Sequence, residues 1–136
     1  MTFAIKVQLS DTAPGVLALG PQKTMYGGKG VVIGDAIFIF ASENQGGRGL
    51  CLRGVVTSAE RVAKKSGLAR QTPRVRVTIR AEARARRPLG RDELKHFSQW
   101  EDGRPETELN FKLYRQATNK LVGISEETAA FLNGLF

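Results

Sequence analysis

Six consecutive apolar residues, Ala36-Ile37-Phe38-Ile39-Phe40-Ala41, stand between the turn-forming pair Gly34-Asp35 and the polar, glycine-rich stretch Ser42 to Gly49. An unbroken apolar run of this length, bounded by turns, predicts a strand buried on both faces. Leu50 to Ser58 follows as a second strand and pairs back onto it as a hairpin. Upstream, Phe3, Ile5, Val7 and Leu9 alternate with polar or small residues, which predicts a first strand with one buried face. Ser10 to Gly30 is rich in Gly and Pro and reads as a long loop excursion, a kind of segment that often carries function.

Ala59 to Thr72 reads as a basic connection with a short helical turn. In Arg74-Val75-Arg76-Val77-Thr78-Ile79-Arg80-Ala81-Glu82 the side chains alternate, so Val75, Val77, Ile79 and Ala81 share one face. Arg74, Arg76 and Arg80 share the other. Pro88 and Gly90 break the chain. Arg91 to Trp100 predicts a helix with Leu94, Phe97 and Trp100 on one side. Leu109 to Tyr114 alternates and reads as a strand, with Phe111 and Tyr114 on opposite faces. Lys120 to Ile124 is a last short strand. Ser125 then caps a helix that opens with Glu126 and Glu127 and turns Phe131, Leu132 and Leu135 inward. Many strands and few short helices predict a mixed α+β, mainly β fold. The expected form is a small bent sheet or open pseudo-barrel of five to six strands, closed by short helices in a single domain over residues 1–136.

Charge is distributed unevenly. From Arg48 to Arg91 there are 13 Lys/Arg against Glu60 and Glu82, whereas the rest of the chain has 8 against 11 acids, for a net charge of +8. A basic middle between less basic ends is the electrostatic footprint of a phosphate-bearing partner. No stretch approaches the roughly 18 apolar residues of a membrane-spanning helix. Met1 to Leu9 lacks the features of a signal peptide, and the one cysteine, Cys51, forms no internal disulfide. The expectation is a cytoplasmic protein, away from membranes, with no cofactor and no metal.

Two stretches carry a family resemblance. One is Val32-Ile33-Gly34-Asp35-Ala36-Ile37-Phe38-Ile39-Phe40-Ala41-Ser42, followed by a Gly-rich turn and Leu50-Cys51-Leu52-Arg53-Gly54-Val55-Val56. The other is Leu113-Tyr114-Arg115-Gln116-Ala117-Thr118-Asn119-Lys120-Leu121-Val122-Gly123-Ile124-Ser125-Glu126-Glu127. Together they resemble the PUA-like superfamily, in particular its EVE domains, over about two thirds of the chain. The ASCH branch is the competing resemblance. Where many EVE domains have a Trp-Asp-Gly-Val-Arg-Asn loop, this chain has Tyr26-Gly27-Gly28-Lys29-Gly30. The resemblance implies a pseudo-barrel with a pocket at one side that takes a flipped base, modified or unmodified, from RNA or DNA. A base must leave its stack before its edge is read, and it is then held by aromatic planes and a few hydrogen bonds.

The candidate base-pocket residues are Tyr26, Ser42, Asn44, Trp100 and Tyr114. Tyr26 and Trp100 offer stacking planes, Trp100 being also a natural core residue. The resemblance places Ser42 at the pocket rim, although Ser42 and Asn44 equally suit turn chemistry. The candidate backbone contacts are Lys29, Arg48, Arg74, Arg76, Arg80, Arg115 and Asn119. Arg74 and Arg76 lie about 7 Å apart along an extended strand, close to phosphate spacing. Lys64, Lys65, Arg70, Arg84, Arg86 and Arg87 add charge nearby. Gly27-Gly28-Lys29-Gly30 lacks the length and the hydroxyl residue of a phosphate-cradling P-loop, which excludes that class of nucleotide hydrolysis. Cys51 and His96 lack an activating context for nucleophilic chemistry. Two other readings remain open. One is an ASCH-like enzyme, a ribonuclease or an amidohydrolase on a modified nucleoside, with Lys29, Ser42 or Lys112 as its functional groups. The other is a non-catalytic basic adaptor that associates with RNA.

Overall fold

Side chains alternate across a strand, and the strand at Ala36–Ala41 uses both of its faces. Ile37 and Ile39 join Phe3, Ile5, Leu52, Val75, Val77, Ile79 and Leu121 in one apolar core. Phe38 and Phe40 point the other way, into a second core with Leu94, Leu109, Leu113, Val122 and Leu132. Fully burying each such side chain stabilises the fold by roughly 1.5–3 kcal/mol, so one short strand anchors two cores.

The computed structural model describes residues 1–9, 14–63, 67, 73–115 and 120–136. Lys64, Lys65, Arg70 and Asn119 lie outside the described residues. Six strands close into a barrel: β1 (Thr2–Val7), β2 (Gly15–Met25), β3 (Ala36–Ala41), β4 (Gly49–Val62), β5 (Arg74–Arg84) and β6 (Leu121–Ile124), in spatial order β1-β3-β4-β5-β2-β6. β1 runs parallel to β3, and β2 parallel to β6; the other pairings are antiparallel. Three short helices, α1 (Arg91–Leu94), α2 (Pro105–Leu109) and α3 (Glu126–Asn133), complete the mainly β fold. The second core lies between these helices and the outer faces of β1, β3 and β6. The outer faces of β2, β4 and β5 carry Val16, Ala18, Ser58, Glu60, Arg76 and Arg80, all exposed.

Five sequence-based expectations change. β1 is buried on both faces, because the helices cover Ala4 and Lys6. Ser10 to Gly30 is not one long loop. Gly15–Met25 forms β2, whose ladder to β5 shifts register between Leu19 and Gln22 at the Gly20-Pro21 bulge. The supposed connection from Ala59 belongs to β4 as far as Val62. The helix expected over Arg91 to Trp100 stops at Leu94, and Trp100–Asp102 forms a separate 3₁₀ turn. Leu109 to Tyr114 is not a strand: it is the end of α2 and a π-helical turn, Asn110–Tyr114. Pro105 at the first helical turn, with Glu106 and Glu108 following, is the start signal that the alternation of Leu109, Phe111 and Leu113 obscures.

The capping of α3 follows its sequence signal. Ser125 Oγ accepts from the Thr128 N–H at 3.2 Å. Glu108 on α2 meets the same cap. Its Oε1 accepts from Ser125 Oγ at 2.6 Å and Thr128 Oγ1 at 2.9 Å; its Oε2 accepts from Ser125 N–H at 2.8 Å and Lys112 Nζ at 3.1 Å. Burial of the carboxyl pushes its pKa up, but these hydrogen bonds outweigh it and hold Glu108 below the usual carboxylate range. A depressed carboxylate stabilises the fold above its unfolded pKa of about 4.3, and that stability is lost as pH falls through the folded pKa. Glu108→Gln is expected to destabilise the protein at pH 7 by roughly 2–4 kcal/mol. The difference should narrow below about pH 4, where the parent carboxyl is itself protonated. Thermal melts of both proteins across pH check this; a gap that stays constant to pH 3 contradicts the role given to the charge.

Candidate nucleic-acid interface

The same knot positions a cleft. Lys112 sits one helical turn after Glu108, and its Nζ also donates to the Gly123 carbonyl of β6 at 2.7 Å. An ammonium has three donors, so one remains. Lys112, Glu108, Arg104, Gly103 and Trp100 line a cleft of about 340 Å³, within the size range of small-ligand pockets. All four oxygen contacts of Glu108 are taken, so this carboxylate is a scaffold rather than an open acceptor.

Trp100 is 51% exposed. Its ring meets Phe111 edge-on, with centroids 5.0 Å apart, and the Arg115 guanidinium lies 4.8 Å from the other partner, the Phe111 ring centroid. The indole is thus braced from behind by Phe111 while its surface stays open to solvent. Asp102 caps the segment: its carboxylate accepts from Arg104 N–H and Thr107 Oγ1, each at 2.9 Å. The Arg104 N–H first, then the Thr107 hydroxyl, holds the Asp102 pKa low.

Tyr26 stands beside this cleft. Lys112 Nζ is 5.0 Å from its ring centroid. Tyr26 has φ 53° and the following Gly27 φ 82°, so the chain turns left-handed over two residues. Gly28 needs to be glycine for packing: a Cβ there would collide with the Leu121 carbonyl. The close approach at this loop is therefore to β6. Lys29 is exposed, and its carbonyl accepts from Arg61 Nη2 at 2.6 Å.

The other three candidate pocket residues form a separate group around Glu43. Tyr114 Oη donates to Glu43 Oε1 at 3.0 Å, and Arg91 N–H donates to Glu43 Oε2 at 2.6 Å. Asn44 Oδ1 accepts from Arg91 Nη2 at 2.6 Å. Burial, then the Glu43 charge, pushes the Tyr114 hydroxyl pKa up. Lys6 Nζ lies 4.6 Å from the Tyr114 ring centroid. Ser42 is 4% exposed and donates its N–H to the Val7 carbonyl at 2.9 Å. The structure thus brings Tyr26 and Trp100 to the Lys112 cleft and Ser42, Asn44 and Tyr114 to the Glu43 group. Arg48, exposed, stands at the same β3–β4 turn.

The strand arginines differ from one another. Arg74 faces Lys23 on β2; Arg76 faces Glu60 on β4; Arg80 pairs with Glu82 at 2.9 Å. Arg74 and Arg80 are about 20 Å apart along β5. Sequence reasoning missed Arg104 and Lys23, and read Lys112 only as an enzyme residue. The Glu108–Lys112 spacing of four is a helical signal, invisible once the segment is taken for a strand. Cys51 donates Sγ–H to the Ile39 carbonyl at 3.2 Å, and burial pushes its thiol up to about 11, so it packs rather than attacks. Among the described residues no group of three His, Cys, Asp or Glu is placed to hold a metal, and no helix is long and apolar enough to cross a membrane.

No family model and no curated protein matches the sequence. Two solved structures share its architecture. One is a crystal structure of a Pseudomonas putida protein from a structural-genomics consortium, 12% identical, covering 99% of both chains with a TM-score of 0.63. The other is the DUF55 domain of human thymocyte nuclear protein 1, 11% identical, covering 99% of this chain and 98% of that one, with a TM-score of 0.63. At such identity the likeness is one of fold alone: the mainly β, closed six-stranded barrel of this chain matches the fold of that DUF55 domain.

Proposed function

We propose that the chain is a nucleic-acid-binding domain of the EVE type, which takes one base of RNA or DNA, modified or unmodified, into the cleft between Trp100 and Lys112. The observation that carries this reading is the braced, half-exposed Trp100 beside Arg104 and Lys112 in a cleft of about 340 Å³. An aromatic plane stacks any base, and cationic N–H donors select acceptor atoms on its edge. Tyr26 flanks the entrance beside Lys112. The likeness of fold to a DUF55 domain and the basic middle of the chain support the same reading.

The nucleic-acid backbone then lies on the half of the barrel that the helices leave open, with Lys29, Arg74, Arg76 and Arg80 as its contacts and Arg115 beside the cleft. Arg48, Asn44, Ser42 and Tyr114 belong to the Glu43 group, and on this reading their part is to hold the β3–β4 turn against the helices.

Trp100→Ala is expected to weaken binding of a short single strand by about 1–3 kcal/mol and to reduce discrimination between bases. Fluorescence anisotropy with oligonucleotides differing at one base checks this, and unchanged discrimination contradicts the cleft assignment. Glu82→Ala should strengthen binding about two- to fivefold at low salt by freeing Arg80. Arg80→Ala should act in the opposite direction. The pair of variants measured over a salt series decides whether Arg80 meets phosphate.

A further inference from the structure

Four cations share one rung of the barrel. Ile5 pairs with Leu121, Thr24 with Leu121, and Arg74 with Lys23. Lys6 N–H donates to the Lys120 carbonyl at 3.4 Å. Lys6, Lys120, Lys23 and Arg74 therefore stand side by side on β1, at the entrance to β6, on β2 and on β5. Their neighbours Ile5, Leu121 and Val75 point into the barrel core, so all four cations project from its outer face. Adjacent strands are about 4.8 Å apart, and like charges placed directly opposite repel.

The rung divides at Lys120. Lys6 has the Tyr114 ring and the Glu43 charge for company. For Lys120, burial and then the Lys23 charge lower its pKa. The ion pairs found among the described residues involve neither Lys120, Lys23 nor Arg74. Lys120 is only 6% exposed, so its stem is packed in place, while Lys23 is exposed and Arg74 half-buried. Three cations on neighbouring strands, paired with no carboxylate among the described residues and one of them with its stem packed in place, make an arrangement that a phosphate group satisfies.

We propose that Lys120, Lys23 and Arg74 form a phosphate-binding site on the outer face where β6, β2 and β5 meet, and that it holds a backbone phosphodiester of the bound strand. The second part rests on the nucleic-acid reading above. Lys23 is three residues before Tyr26 on the same strand and turn, so a strand seated here passes beside the cleft. The backbone then crosses the barrel strands at this rung and reaches β5 at Arg74, the first of the strand arginines.

The test uses the parent, Lys23→Gln and Lys23→Gln/Lys120→Gln, with two probes that carry no base: an abasic deoxyribose-phosphate octamer and inorganic pyrophosphate. Because the substitutions remove repulsion, the variants should melt no lower than the parent in chloride. The expected result is octamer binding about tenfold weaker in the double variant, with its salt slope reduced by about one. Pyrophosphate at constant ionic strength should raise the melting temperature of the parent and leave the double variant unmoved. If pyrophosphate discriminates and the octamer does not bind the parent, the phosphate site stands for free phosphates and the nucleic-acid reading falls. If neither probe binds the parent, or both act equally on parent and double variant, the site is overturned.

Discussion

The carboxylate of Glu108 joins three parts of the molecule at one point. It receives Ser125 and Thr128 from the start of α3, and Lys112 from the π turn after its own helix. Through Lys112 it also reaches the Gly123 carbonyl of β6. A partly buried carboxylate is tolerable only when its oxygens are satisfied, and here the four contacts that do so serve three structural tasks. One caps a helix, another docks that helix on α2, and a third fixes the lysine of the cleft. The geometry of the candidate site is therefore a consequence of how the helices are fastened, and the cleft is pre-organised to that extent.

The second constraint is where burial ends. β1, β3 and β6 are buried on both sides, so their outer faces are committed to the helices. β5 buries one face, β2 and the second half of β4 cover one face only in part, and all three leave the other to water. Arg74, Arg76 and Arg80 of β5, cations of the chain's basic middle, stand on that open half. The aromatic cleft lies at the border, where α2 and its π turn meet β6 and the Tyr26 turn. The arrangement places stacking surface and positive charge next to each other without either being part of a core.

Legibility followed the strength of the local signal. The two-faced strand Ala36–Ala41, the alternation of Val75 to Ala81 and the Ser125 cap read directly, because each combines a period with a flanking stop. β2 was hidden by Gly20-Pro21, residues that mark turns in most contexts and here mark a bulge. Leu109, Phe111 and Leu113 alternate as a strand would, yet in the π turn Leu113 is buried while Phe111 braces Trp100. Read as a strand, that segment does not place Glu108 and Lys112 one helical turn apart. Of the expected pocket residues, the sequence offers Tyr26 and Trp100 as stacking planes but has no means of separating them in space from Tyr114, because that separation depends on barrel closure. The cation rung was equally out of reach: Lys6, Lys23, Arg74 and Lys120 are scattered along the chain and meet only through strand register.

Trp100 is the sole tryptophan, so its fluorescence reports on the cleft alone. The most direct measurement is to follow that emission while titrating a short single strand, with binding monitored in parallel by anisotropy of a labelled end. A base stacked on the indole should quench the emission in a saturable way that tracks binding, and an abasic residue at the bound position should abolish the quenching. Saturable binding with Trp100 emission unchanged would contradict the account, because the strand would then be held without a base entering the cleft.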